Sequence, residues 1–562
     1  MFRLARALLV AILLALAGQS PALAKPPADV RLIEEAVAKY RSGDFAAAVT
    51  LLDKAVKANP KNALAYEKRG IAKIDLKDLT GARADLEKAI QLNPSAKDAY
   101  YNRGWLNSQA KDYASAIADL SKAIQFDPAH GKAYNLRGDA RRAAGDLAGA
   151  LTDFNKAVEL DPEFTLAIGN RGNVRAATGD YNGAIEDYSR VVEKDPASLL
   201  AFFNRAEAQQ LLGNYQAAAA DYSKAIALSP NDAGIYSSRG NAWHFLGADE
   251  VAIRDYTKAI SLDPRFSAAY YNRGFAKASA SDFKGAVEDF TKVVELTPAN
   301  DLAFLRRGTA REQLHEYTAA LMDFTKAIEL APTNVAAFIT RGLCKAQVED
   351  FSGALADFNE AIQKEPKSAA ALNYRGTVKC SLRDRFSAIQ DFTNAVTIDP
   401  SFAAGWFNLG VAQMDLFEFT KAQENFRKAL DLNSSLESAR WRIWLTRSLL
   451  GQPTEAIKEL KAHVIFLPAE QDNTFPVKLG RFLIGETKEA EFLKNAAEGQ
   501  NAAETKETLA RSCFYAGMKR FLSHDHAGAK VLFQRCLKFG DNNCEDYGSA
   551  EVFLAAAQKF AP

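Results

Sequence analysis

The sequence predicts an all-α solenoid of helical hairpins with a period of 34 residues. Three observations predict it. Proline falls at 60, 94, 128, 162, 196, 230, 264, 298, 332, 366 and 400, an unbroken series. Alanine keeps the same interval from Ala48 to Ala456, and glycine keeps it from Gly70 to Gly410 with Ala206 as the one exception. An aromatic or large apolar residue stands four positions before each of those glycines, from Tyr66 through Tyr100 and Phe202 to Trp406. A period held over so many units means an array in which each unit buries its apolar face against its neighbours.

Each unit is read in order. The aromatic and the glycine sit on a first helix, where the small residue lets a second helix approach and the aromatic fills the space beside it. A short turn follows, often ending in an aspartate suited to cap the next helix: Asp44, Asp112, Asp146, Asp180, Asp282 and Asp350. Proline then stops the second helix because it has no N–H to donate. In this spacing of aromatic, Gly, Ala, aromatic, Ala and Pro the chain resembles the tetratricopeptide repeat. The resemblance implies a right-handed superhelix whose first helices line a concave face.

Twelve repeats fit residues 29–436. A degenerate thirteenth fits 437–470, keeping Ala456 and Pro468 but with Trp444 where a small residue belongs. The phase then breaks over 471–509, read as a linker or helical insertion. Gly517, Ala529 and Phe533 recover the pattern in a last hairpin and capping helix over 510–562.

Residues 1–24 read as a secretory signal peptide: Arg3 and Arg6, an apolar run from Ala7 to Ala17, Gly18, then Ala22-Leu23-Ala24. That run is far short of the roughly 20 residues that span hydrocarbon, and no cysteine follows it for a lipid anchor. A short linker, 25–28, leads into the first repeat. The expectation is an exported protein, periplasmic if the source has two membranes, with no stable membrane insertion after cleavage. Seventy basic and sixty-nine acidic residues leave a net charge of +1 with no basic run, which argues against a nucleic-acid partner.

Arginine also keeps the period, at 69, 103, 137, 171, 205, 239, 273, 307, 341 and 375, and aspartate recurs sixteen residues after each. Repeat one has Glu35 and Leu51 at the two places and repeat twelve has Leu409 and Asn425, so the two change together. A guanidinium withdrawn from water needs a carboxylate. Pairs such as Arg103 with Asp119 and Arg273 with Asp289 are therefore read as structural ion pairs, facing either across the hairpin or across the join to the next unit.

The residues just before the arginine carry the candidate binding function. They read Tyr101-Asn102, Phe203-Asn204, Tyr271-Asn272 and Phe407-Asn408, with Asn170 as a fifth amide. They resemble the asparagine ladder of O-GlcNAc transferase repeats, which implies contacts to the backbone of an extended peptide. An amide both donates and accepts, which suits sequence-tolerant capture. The row is incomplete, with Lys68, Leu136, Ser238, Arg306, Thr340 and Tyr374 at equivalent places; a solvated helix face is the competing reading. A glycan would instead use Tyr101, Trp105, Tyr271 and Phe275 through ring stacking.

From Phe475 onward, "FPVKLGRFLIGETKEAEFLKNA", "CFYAGMKRFLSHDHAGAKVLFQRCLKFG" and "EDYGSAEVFL" resemble the terminal module of the NlpI lipoproteins and related envelope repeat proteins. That resemblance implies an adaptor for cell-wall hydrolases and proteases. Cys513 and Cys536 lie on opposite helices of the last hairpin, and either a disulfide or two small buried apolar side chains fits them. No nucleotide loop, nucleophile elbow or zinc motif is present. His524-Asp525-His526 occupies a turn and is not read as a metal site. The expectation is no enzyme, no cofactor and no metal: a scaffold for proteins or extended peptides, or alternatively a module assisting envelope polysaccharide synthesis or export or regulating a cell-wall hydrolase or protease.

Overall fold

The computed structural model describes residues 27–465, 474–497, 502–539 and 546–560, with side chains described from 505 onward in the third stretch. The expected signal peptide, Pro468 and Cys544 lie outside them. The described residues form 31 helices and no strand. The chain divides into two compact units, Met1–Pro264 and Arg265–Pro562.

In the first unit the described residues form seven hairpins, from Ala28–Arg41 with Phe45–Ala58 to Ala233–Phe245 with Asp249–Leu262. Six more, from Ser267–Ser279 with Phe283–Leu296 to Glu437–Leu449 with Pro453–Ile465, belong to the second unit. Each turn passes through one left-handed residue. That residue is glycine at Gly43, Gly145, Gly179, Gly213, Gly247 and Gly451, and a side-chain-bearing residue such as Lys77, His315 or Phe417 elsewhere. The aspartates that follow are caps: Asp44 accepts from the Ala47 N–H at 3.0 Å, Asp112 from Ser115 at 3.1 Å, and Asp146, Asp180, Asp282 and Asp350 do the same.

The periodic glycines are close-approach positions. A Cβ on Gly308 would lie 2.6 Å from a ring carbon of Phe324, and one on Gly104 would lie 2.8 Å from Leu120. Phe154, Phe290, Phe324, Phe358, Phe392 and Phe426 are buried at this one repeat position, as is the periodic alanine. Within each unit, first helices of successive repeats touch one another, so theirs is the inner face.

The second unit ends in five further helices: Phe475–Ile484, Glu489–Ala496, Ala502–Leu522, His526–Phe539 and Tyr547–Phe560. The span read as a linker thus holds two short helices, closed on each other by parallel stacking of Phe482 on Phe492 at 4.3 Å. The last hairpin begins at Ala502 rather than near 510, because its Ala-, Glu- and Lys-rich start favours helix and has no Pro or Gly to stop it. The final helix packs back on the first helix of repeat twelve, Ala403–Asp415. Met414, Trp441, Trp444, Phe514, Phe533 and Phe553 share the resulting apolar cluster.

Candidate interaction face

The periodic Arg–Asp pairs join the two helices of one hairpin. Arg103 donates from Nε and Nη2 to Asp119 at 2.8 and 2.7 Å, and Arg273 to Asp289 at 2.9 and 2.6 Å. The third guanidinium nitrogen reaches the preceding repeat: Nη1 of Arg137 donates to Ser121 and that of Arg239 to Ser223, each at 3.0 Å. Of the two geometries left open by spacing, the periodic aspartate takes the hairpin, and the join is made to a hydroxyl as at Ser121 and Ser223, to an amide at Asn155 and Asn359, or to a carboxylate at Asp53. The ring three residues earlier lies under the guanidinium, as Tyr100 does under Arg103 at 5.8 Å.

A third member was not read from the sequence. In most repeats, though not where Gln209 and Trp243 stand, the residue four positions after the arginine shares the same aspartate: Lys73 with Asp85 at 2.8 Å, Arg175 with Asp187 at 2.9 Å, Lys379 with Asp391 at 2.7 Å. Its signal is a recurring Lys or Arg one helical turn on. Repeat twelve substitutes neutral amides, Asn425 donating to Gln413 at 2.6 Å. Repeat thirteen turns to Glu459, held by Arg427 at 2.9 Å and Arg447 at 2.5 Å. Every arginine of the comb therefore has an internal acid, and the comb is scaffold.

The amide row on the inner face behaves differently. Asn170 Nδ2 donates to Asn135 Oδ1 at 3.1 Å, Asn204 Nδ2 to Asn173 Oδ1 at 3.0 Å and Asn408 Nδ2 to Asn373 Oδ1 at 2.9 Å. Each links one repeat to the one before. Asn102 Nδ2 donates to the Asp98 carbonyl at 2.7 Å in its own helix. One amide N–H of each is therefore spent on the scaffold, while the Oδ1 atoms of Asn102, Asn170, Asn204 and Asn408 accept from no described residue. Asn272 is engaged as well. The receiving amides Asn135 and Asn373 went unread, although each stands two residues before a periodic arginine, 35 before its donor.

The aromatics beside these amides are half in the core. Tyr101 stacks on His130 at 4.8 Å, and burial raises its hydroxyl pKa. Phe203 meets Tyr222 at 5.7 Å, Tyr271 meets Phe290 at 5.6 Å and Phe407 meets Phe426 at 5.6 Å. Trp105 packs against the cluster of repeats two and three, and Phe275 carries the Arg306 guanidinium over its ring at 5.2 Å. Such rings are partly covered by these neighbours. Exposed apolar area comes instead from the second residue of the first helix, Leu166 at 61% and Leu200 at 71% exposed.

In the second unit the inner face ends beneath the last helix. Arg385 donates to Asp415 at 3.0 Å and to the Gly548 carbonyl at 3.1 Å, and Ser549 donates to Asp415 at 2.6 Å. Arg383 holds Glu551 through two bonds, at 3.2 and 2.6 Å. Asn408 lines the cavity left there, with Cys380, whose thiol is pushed up to about 12 by burial and then by the Asp415 charge.

Cys513 and Cys536 are buried thiols in the apolar cluster, and no bond joins them. Asp525, between His524 and His526, pairs with Arg520 at 3.0 Å and caps Gly528 at 2.9 Å. Among the described residues no three His, Cys, Asp or Glu side chains converge as a metal site would require, and no helix is long and apolar enough to cross a membrane.

Models of the tetratricopeptide repeat match residues 33–91, 67–130, 131–164, 170–233, 267–300 and 403–436. The chain therefore carries tetratricopeptide repeats. No curated protein matches it. Among solved structures it is similar to MamA 41-end from Desulfovibrio magneticus RS-1, at 25% identity over 30% of this chain and 97% of that one, TM-score 0.30. It is similar also to YrrB, described as a tetratricopeptide-repeat protein with an unusual peptide-binding site, at 26% identity over 33% and 95%, TM-score 0.29. Yeast Tom70 aligns at 16% identity over 75% and 96%, TM-score 0.37.

Proposed function

We propose that this chain of tetratricopeptide repeats is an exported, non-enzymatic scaffold or adaptor that captures extended segments of other proteins along its first-helix face, in the periplasm if its source has two membranes. One observation carries the reading: the asparagine carbonyls of Asn102, Asn170 and Asn204 in the first unit and of Asn408 in the second, each fixed by a bond from its amide nitrogen to the scaffold and each with its own oxygen left open. Fixed acceptors set one or more repeats apart suit backbone N–H groups several residues apart on an extended chain and discriminate little among side chains. Leu166 and Leu200 add apolar contact beside it. The C-terminal resemblance to the NlpI lipoproteins makes cell-wall hydrolases and proteases the first partners to test.

The test is affinity capture by residues 25–562 from envelope extract of the source, beside a variant carrying Asn102→Ala, Asn204→Ala and Asn272→Ala. Each captured protein is then titrated against both forms. Binding at least about tenfold weaker in the variant is expected, equivalent to about 1.4 kcal/mol. Partners held equally by both forms, or saccharide retained in place of protein, would overturn the reading in favour of a module for envelope polysaccharide.

A further inference from the structure

The inner face of repeats ten to twelve carries a cavity of about 250 Å³, bordered by the start of the helix Tyr547–Phe560. Phe351, Phe392 and Phe407 give it an aromatic lining. Its charged groups cancel: Arg385 is paired with Asp415, and Glu551 is held by Arg383. Two of its remaining polar atoms are a donor and an acceptor. Arg385 spends Nε and Nη2 on Asp415 and the Gly548 carbonyl, leaving Nη1 without a partner among the described residues. Asn408 spends its Nδ2 on Asn373 and leaves Oδ1. One donor and one acceptor in a neutral, aromatic recess are the complement of one peptide unit bearing an apolar side chain.

We propose that this cavity is an anchor site: it takes the aromatic or large aliphatic side chain of one residue in a partner's extended segment. That residue's carbonyl accepts from Arg385 Nη1 and its N–H donates to Asn408 Oδ1. An apolar cavity of roughly 150 Å³ already admits benzene, so this volume holds a ring and the peptide unit attached to it. An acidic side chain is refused, because the free carboxylate would meet Asp415 and Glu551, whose cations are already engaged. A sugar is disfavoured because the rings of Phe351, Phe392 and Phe407 would face several of its hydroxyls without offering them partners. The site rests on the peptide-capture reading and adds to it a position and a residue class.

The test is a titration of residues 25–562, labelled at valine methyls, followed by NMR at Val378 and Val411, which line the cavity. The probes are N-acetyl-L-phenylalanine amide, N-acetyl-L-aspartic acid amide and N-acetylglucosamine. The phenylalanine probe is expected to shift both methyls saturably with a dissociation constant on the order of 1 mM, in keeping with so small a ligand, while Val174 in repeat five stays fixed. Val411→Trp, which fills the cavity, is expected to abolish the response. No saturable shift at Val378 and Val411, or an equal response to the aspartyl or sugar probe, overturns the proposal on the unmodified protein, whatever the variant's folding. If the probe fails while capture still depends on Asn102 and Asn204, the anchor site falls alone; if the probe binds and capture ignores those residues, the amide-row reading falls alone.

Discussion

Arg442 and Asp546 stand 104 residues apart in the sequence and form an ion pair at 2.5 Å in which each side chain is only 1% exposed. Arg442 also donates to Ser549 at 3.3 Å and lies over the Phe514 ring at 4.9 Å. One guanidinium on repeat thirteen thereby ties down the start of the last helix. Phe553 packs further along it, 5.8 Å from Phe417 of repeat twelve.

Arg442→Leu removes the buried partner of Asp546 and leaves it only Arg511 at 3.5 Å, and losing one partner of a buried pair costs about 3–5 kcal/mol. Hydrogen exchange at residues 547–560 is expected to accelerate first, while the repeats of the first unit keep their protection. Unchanged protection of the last helix would show that its other contacts, among them Arg383 with Glu551 and Arg385 with the Gly548 carbonyl, suffice to hold it.

Gly308→Ala places a methyl 2.6 Å from the Phe324 ring. An exposed helical glycine would gain up to about 1 kcal/mol from this change. Here overpacking, at about 1–3 kcal/mol, outweighs that gain. Ala206, which occupies the same repeat position opposite Tyr222, is fully buried, and Ala206→Gly is expected to cost about 0.5–1 kcal/mol. Urea denaturation of the two variants checks both signs.

Asp187→Ala leaves Arg171 and Arg175 facing each other without their shared acid. A loss of about 3 kcal/mol is expected, the lower end for a buried pair because both guanidiniums retain some exposure. Replacing all three members as repeat twelve does, with Arg171→Leu, Arg175→Gln and Asp187→Asn, is expected to recover most of it. Failure of the triple variant to exceed the single one in denaturation midpoint would refute the neutral-amide equivalence.

Burial pushes Glu459 up, but hydrogen bonds from Arg427 and Arg447 outweigh it and hold the carboxyl below its ordinary value of 4.5. A carboxyl depressed in the folded state contributes stability that is complete above its unfolded pKa and is lost as pH falls through the folded one. Stability of the second unit should therefore decline below about pH 4.5, and Glu459→Gln should flatten that limb. An acid limb unchanged in the variant would assign the decline to other carboxylates.

Cys380, pushed up to about 12 by burial and the neighbouring Asp415 charge, is almost wholly protonated at pH 8. Alkylation by iodoacetamide should be at least about a hundredfold slower than for an ordinary exposed thiol. Mapping of the labelled peptides over time measures it.

The sequence by itself determined the hairpins, their period, the capping aspartates and the pairing of each arginine with the aspartate sixteen residues on. All of these are contacts within one repeat, and repetition writes such contacts into the chain many times over. It also marked Asn102, Asn170, Asn204, Asn272 and Asn408, but not that the amide nitrogens of Asn170, Asn204 and Asn408 are spent on the preceding repeat, since a side chain's partner depends on how neighbouring hairpins lean together. Only the tertiary structure decided that Arg442 meets Asp546, that Arg383 meets Glu551, and that the last helix borders a cavity over Phe407 and Asn408. Those contacts occur once, between segments more than a hundred residues apart, so no periodicity announces them and packing alone selects them.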